Sequence, residues 1–281
     1  AHAMAWIKET RQRKAIMTIH STEYGRSGNH FWGGTSEKIR HIEWYGMYVA
    51  DRVISVSRSL QSEVQRIYSV PDTKMNVVYN GVNSSHFDGW VDTMAIKKMY
   101  EIDSYDPMVL FVGRMTYQKG PDILVDSIPN ILKHIPHAKF VFVGDGDMRY
   151  GVEQRARHLG VYHSTRFLGQ VNGWKLRDLF KASDCICVPS RNEPFGIVIL
   201  ESWSASKPVI ASMNGGPSEI VCHDINGYHV YDQASSVEWG VGAIFSDFEH
   251  ARWMGKNGKI AADTVFSWNH IADETLAVYR S

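Results

Sequence analysis

Short apolar, β-branched runs alternate with helix-patterned stretches along most of this 281-residue chain. No other feature constrains the fold as strongly. A strand, a helix and a further strand in succession form a crossover unit, and a series of such units builds a parallel sheet covered by helices. Residues 15–19 (AIMTI), 53–57 (VISVS) and 75–79 (MNVVY) read as strands. Residues 37–50 and 58–68 read as helices, with Ser57 placed to cap the second. Asn80-Gly81 marks a turn after the third strand.

The pattern breaks over 83–107, where a linker near 83–92 and a short helix over 93–101 are expected. A second series then begins. It has strands at 108–112, 139–143, 165–168, 184–188, 208–211 and 228–230. Helices are expected at 121–134, 148–159, 174–182, 196–205, 217–222, 234–246 and 249–263, and a last helix at 268–280 follows Ser267. The strands are near-continuous apolar runs, as required when helices cover both faces of a sheet. The fold class is therefore α/β, with two Rossmann-like doubly wound domains. The first is incomplete, since three strands with few helices leave apolar faces uncovered. Such a surface would be covered by another chain or by homo-oligomerisation.

Composition removes whole classes of function. Thirty Lys plus Arg balance thirty Asp plus Glu, so no global field draws nucleic acid to the chain. Three cysteines form neither a disulfide framework nor a zinc site, which suits a reducing compartment. Cys185 and Cys187 alternate along one strand and read as core. Apolar runs stop at about six residues, far short of the ~20 that span a bilayer, and no leader peptide is visible. A cytoplasmic location is the expectation.

Four segments carry chemistry. Gly113-Arg114-Met115-Thr116-Tyr117-Gln118-Lys119-Gly120 directly follows the strand 108–112. Loops at the carboxyl ends of parallel strands bind ligands, and Arg114 with Lys119 aims two cations at one anion. Glu193-Pro-Phe-Gly-Ile-Val-Ile-Leu-Glu201 follows the strand 184–188. Phe195, Gly196 and Ile197 open a helix whose free amides suit a phosphate, and both carboxylates can accept from sugar or ribose hydroxyls. Asn214-Gly215-Gly216-Pro217 follows the strand 208–211, and His20 stands just past the first strand. Each piece alone also reads as an ordinary turn, a solvated charge or a structural histidine.

In this order and spacing, Gly113-Arg114…Lys119-Gly120, Glu193 with Glu201, and Gly215-Gly216 resemble the donor site of the retaining glycosyltransferases of family four. Those enzymes have the GT-B fold. Val78-Tyr79-Asn80-Gly81-Val82 with Phe87 resembles the family's interdomain segment, and Phe266-Ser267-Trp268 its C-terminal crossover. His20-Ser21-Thr22-Glu23-Tyr24-Gly25-Arg26 resembles a subgroup that includes archaeal glycosyltransferases and glycogen-synthase-like enzymes. The resemblance covers essentially the whole chain. It implies a partial acceptor-side lobe over 1–88, a donor lobe over 89–266 and a crossover helix over 267–281. Family members carry roughly a hundred further residues ahead of this point, so a missing N-terminal portion is expected.

The resemblance implies a nucleotide diphosphate sugar as substrate, a UDP-, ADP- or GDP-hexose, with no further cofactor. Arg114, Lys119 and the helix start would hold the diphosphate. Glu201 would hold the ribose, Glu193 the transferred sugar, and His20 would reach that sugar from the first lobe. The loop at Gln170-Val171 would meet the base, with Gly113, Gly215 and Gly216 lining the site. The acceptor would be a glycan or a lipid-linked glycan. No residue stands out as a nucleophile. Asp145-Gly146-Asp147 has the Asp-x-Asp form of a metal motif, but it reads as a strand-to-helix turn with Asp147 as N-cap, so no metal is expected. A nucleotide-sugar-binding module without turnover, and a phosphorylase or epimerase of the same fold, are the other readings.

Overall fold

The computed structural model describes residues 1–281. It contains two parallel sheets. The first has three strands in the order β1 (Ile16–Ile19), β2 (Arg52–Ser55), β3 (Met75–Val77). The second has six: β4 (Met108–Val112), β5 (Lys139–Val143), β6 (Thr165–Gly169), β7 (Cys185–Val188), β8 (Val209–Ser212) and β9 (Gly227–Val230). Their spatial order is β6-β5-β4-β7-β8-β9. The chain builds outward from β4 in one direction, then returns to β7 and builds outward in the other.

Alternation along the strands sorts the second lobe into two faces. Met108 and Leu110 join one hydrophobic cluster, and Val109 and Phe111 join the other. Cys185 and Cys187 lie in the second cluster, fully buried, and burial pushes both thiols up. The first cluster continues into the smaller lobe through Val53, Leu60 and Val64. The closing helix Trp268–Arg280 returns to the first sheet, where Ile271 and Val278 pack with Ile54 and Val78.

The lobes are joined by specific bonds. Val82 N donates to Phe266 O at 2.8 Å beside a cluster of the Tyr79, Phe195 and Phe266 rings, which meet at tilted and edge-on angles. Glu219 of the second lobe accepts from the amides of Arg58 and Ser59 at 2.9 and 2.7 Å. These are first-turn donors of the helix Arg58–Tyr68, which have no partner within the helix itself. Ser57 caps the same helix by accepting from Leu60 N at 3.0 Å, and its hydroxyl donates to Pro194 O across the lobes at 2.7 Å. That helix is therefore held by both lobes.

Two local expectations change. The helix after β5 starts at Arg149 with Met148 at the N-cap, not Asp147. Asp145 instead accepts from Gly146 N at 2.8 Å and pairs with Arg149 at 3.5 Å, so the turn is closed by the first acid rather than the second. After β1, where no element was expected before the helix 37–50, the chain forms a four-residue helix, Glu23–Arg26, with Thr22 accepting from Gly25 N.

One packing contact has a measurable consequence. The helix Phe248–Asp263 lies on the helix Ile197–Ser204 with Gly258 against the fully buried Trp203. A Cβ at 258 would stand 2.1 Å from Trp203 Cδ1. Gly258→Ala is expected to destabilise the fold by about 1–3 kcal/mol, because a close-packed site cannot absorb a methyl group. A lowered urea midpoint at unchanged slope checks it.

Candidate active site

The strand order of the second lobe reverses between β4 and β7. In open parallel sheets a crevice forms at such a point, outside the carboxyl ends of the two strands. The loop after β4 runs from Gly113 to Gly120, and the loop after β7 from Pro189 to Gly196. They brace each other. Arg191 N donates to Gln118 O at 2.8 Å, and the Arg191 guanidinium clamps Asp122 at 2.9 and 2.6 Å.

The two loops and the end of β1 enclose a cleft of about 230 Å³. His20, Arg114, Lys119, Glu193, Phe195, Gly196 and Ile197 all border it. Seven positions named from the sequence thus meet around one space, although they span residues 20 to 197. Ser21, Asn80, Gln118 and Val198 border it too and carried no sequence signal of their own. Asn80 is legible in the sequence as part of a turn and of the interdomain segment, not as a residue of the site.

The cations are not equivalent. Arg114 is exposed, and its side chain has neither a hydrogen bond nor an ion pair with the protein. Lys119 is committed: its ammonium meets Glu193 Oε2 at 2.7 Å. Ser190 Oγ donates to the same carboxylate oxygen at 3.2 Å. Glu193 is buried, so this pair is weakly screened and leaves the other carboxylate oxygen toward the cleft free for a hydroxyl donor. The helix Ile197–Ser204 points its N-terminus at the same space. The amides of Gly196, Ile197 and Val198 find no acceptor in the protein. Unpaired amides, the positive end of the helix dipole and a free guanidinium together form an anion site.

Gly215 and Gly216 have a different place. Gly215 has φ +95°, and a Cβ there would lie 2.1 Å from Glu193 O. Glu193 N donates to Asn214 O at 3.0 Å, and Gly216 N to Glu193 O at 2.8 Å. The glycine pair therefore lets two backbones lie against each other and fixes Glu193 in the cleft wall. Gly216 is buried and does not border the cleft.

Glu201 faces a neighbouring recess of about 380 Å³, with Trp174, Arg177 and His86. Its carboxylate accepts no hydrogen bond and has no ion partner. Burial alone pushes its pKa from the ordinary 4.5 up to about 7. A half-buried carboxylate left without a donor is costly, and a ligand's hydroxyls would relieve that cost. Gly113 directly follows β4, Gln170 is exposed after β6, and Val171 packs on the core; none of the three borders either space.

Residues 92–261 match the family described as Glycosyl transferases group 1, and residues 1–86 match Glycosyltransferase Family 4. An uncharacterized glycosyltransferase of Methanocaldococcus jannaschii is 40% identical over 94% of this chain and 68% of its own length. The chain belongs to glycosyltransferase family four. The glycogen synthase of Mycobacterium tuberculosis is 25% identical, over 94% of this chain and 62% of the enzyme. The chain thus spans 62–68% of the length of these two relatives. Among solved structures, Anabaena HepE in complex with UDP and glucose superposes with a TM-score of 0.85 at 20% identity, covering 99% of this chain and 74% of HepE. Sucrose-phosphate synthase of Thermosynechococcus elongatus gives 0.80 at 25% identity, covering 98% and 70%. This family-four chain accordingly has the GT-B arrangement, with a small first lobe. No helix in it is long and apolar enough to cross a membrane.

Proposed function

We propose that this family-four chain carries the catalytic cleft of a retaining hexosyltransferase that takes its sugar from a nucleotide diphosphate. Residues 1–88 are the acceptor-side lobe and 89–266 the donor lobe. One observation carries the reading. An unpaired guanidinium, unpaired helix amides and a buried carboxylate converge on one cleft at the topological switch point, facing His20 of the other lobe.

The chemistry follows from charge. Transfer forms a bond between an acceptor hydroxyl oxygen and the anomeric carbon, and breaks that carbon's bond to the diphosphate. The hydroxyl proton leaves to the departing phosphate oxygen, and nucleoside diphosphate is released. Negative charge grows on the diphosphate as the bond breaks, and Arg114 with the amides of Gly196, Ile197 and Val198 stabilises it. These groups do so without a metal ion. Glu193 accepts from hydroxyls of the transferred hexose, and Lys119 holds it in place. Glu201 accepts from the ribose hydroxyls, and the base extends toward Gln170 and Val171. HepE supports the donor class, since it is known with UDP-glucose bound.

The roles separate in a binding experiment. Glu193→Ala is expected to leave nucleoside diphosphate affinity within about twofold and weaken the sugar nucleotide about tenfold, the worth of one hydrogen bond to a charged group. Equal weakening of both ligands contradicts the assignment. Acceptor-dependent release of nucleoside diphosphate tests turnover itself. Phosphorolysis or epimer formation in its place overturns the transferase reading.

A further inference from the structure

A second cavity of about 460 Å³ lies beside the donor cleft, between the lobes. Glu193 and Pro194 border both spaces. A molecule in this cavity is therefore separated from a sugar held by Glu193 only by the width of that loop. The first-lobe wall is one face of the helix Arg58–Tyr68, which presents Ser59, Glu63 and Arg66 at four- and three-residue spacing. Glu219 and Pro194 hold the start of that helix from the opposite lobe, so the wall keeps its place.

The lining is polar, and its charges are unequal in availability. Glu63 accepts from the Thr22 hydroxyl and from Asn192 Nδ2 at 3.4 Å. Asp232 has no hydrogen bond or ion partner in the protein. Arg191 is consumed by Asp122, which leaves Arg66 as the one free cation on the wall, 5.7 Å from the centroid of the Tyr24 ring. Two carboxylates thus stand against one available guanidinium. Carboxylates and amides suit a ligand dense in O–H donors, while the excess negative charge opposes a phosphorylated or carboxylated one.

We propose that this cavity is the acceptor subsite and that it takes the end of a neutral, polyhydroxylated sugar. The proposal rests on the donor reading above, which supplies the sugar that Glu193 would present. Asp232 and Glu63 accept the acceptor's hydroxyls. Asn192 and Ser59 complete the ring of partners, and Arg66 closes the outer edge.

Saturation-transfer NMR on the full chain tests this, with maltose as the neutral probe and glucose 6-phosphate as the anionic one. Titrations with UDP, GDP and ADP run in parallel. Maltose is expected to give transfer signals and glucose 6-phosphate none. Asp232→Asn and Glu63→Gln are each expected to weaken maltose about tenfold, with the best nucleotide's affinity unchanged. Asp232 has no partner in the fold, so its variant tests the site even if Glu63→Gln, which loses contacts to Thr22 and Asn192, unfolds. Nucleotide binding without maltose binding overturns the subsite and leaves the donor reading standing. Maltose binding without nucleotide binding supports the sugar pocket and removes the donor reading. Preference for glucose 6-phosphate overturns the proposal, and so does maltose binding that ignores both substitutions.

Discussion

Arg114→Ala is expected to slow sugar transfer by about 10²–10³-fold while the protein stays folded, as loss of one preorganised donor to a developing anion typically costs. The fold gives little reason for any other effect. The Arg114 side chain is exposed and bonded to nothing in the protein, so its removal leaves no orphaned partner and no cavity. Lys119 offers a contrast. Removing its ammonium leaves the buried Glu193 carboxylate without its partner at 2.7 Å. Breaking such a pair costs about 3–5 kcal/mol of stability. Lys119→Met is thus expected to damage fold and rate together, and Arg114→Ala the rate alone. Single-turnover kinetics beside a denaturant titration separates the two. A stable Lys119→Met protein, or an Arg114→Ala enzyme of undiminished rate, contradicts the division of roles.

Glu201→Gln is expected to make the unliganded protein more stable and its nucleotide binding weaker. An unfolded Glu201 releases its proton near 4.5, while the folded one holds it to about 7. Between those values the folded chain binds more protons than the unfolded chain, so this group's contribution to stability falls as pH rises from about 4.5 to about 7. The full cost is present above that, up to about 3 kcal/mol at 1.36 kcal/mol per pH unit. A neutral amide avoids most of it, so the variant is expected to gain about 1–3 kcal/mol at pH 8 and almost nothing at pH 4. Nucleotide affinity moves oppositely. Ribose hydroxyls donate to the ionised carboxylate, so affinity is expected to decline as pH drops below about 7, and the pH dependence disappears in the variant. Loss of a bond to a charged group costs about 1.5–3 kcal/mol, or roughly ten- to a hundredfold in affinity at pH 8. Thermal melts and calorimetric titrations at pH 5, 6.5 and 8 check both arms. A variant that is less stable at pH 8, or that binds with an unchanged pH profile, contradicts the ribose role.

Much of this architecture is visible along the chain. The strand 108–112 is continuous, apolar and β-branched because helices cover it on both faces, and β4 occupies those residues. The loops after β4 and β7 were identifiable as a site because parallel sheets place ligands there whatever the family. What depends on distance in sequence was hidden. Nothing local indicates that Lys119 is neutralised by Glu193, 74 residues on, so the two cations read as equals when only Arg114 is free. Gly215 and Gly216 read as ligand neighbours, and Gly215 does border the second cavity; what the sequence hid is that both also let the chain lie against the backbone of residues 193–195. The helix Glu23–Arg26 is one turn long and shows no period, so its Thr22 cap was the sole available signal. Glu219 looked like any acid in a first turn, and its work lies in capping a helix of the other lobe.

A formed nucleotide site is the central requirement for this protein, and calorimetric titration of the purified chain with UDP, GDP, ADP and CDP tests it most directly. Saturable binding of one of the four, weakened at least about tenfold by Glu201→Gln and by Arg114→Ala, is the predicted result. A chain with cooperative unfolding and native helical content that binds none of them contradicts it, since Arg114, the helix amides and Glu201 would then be together without making a site.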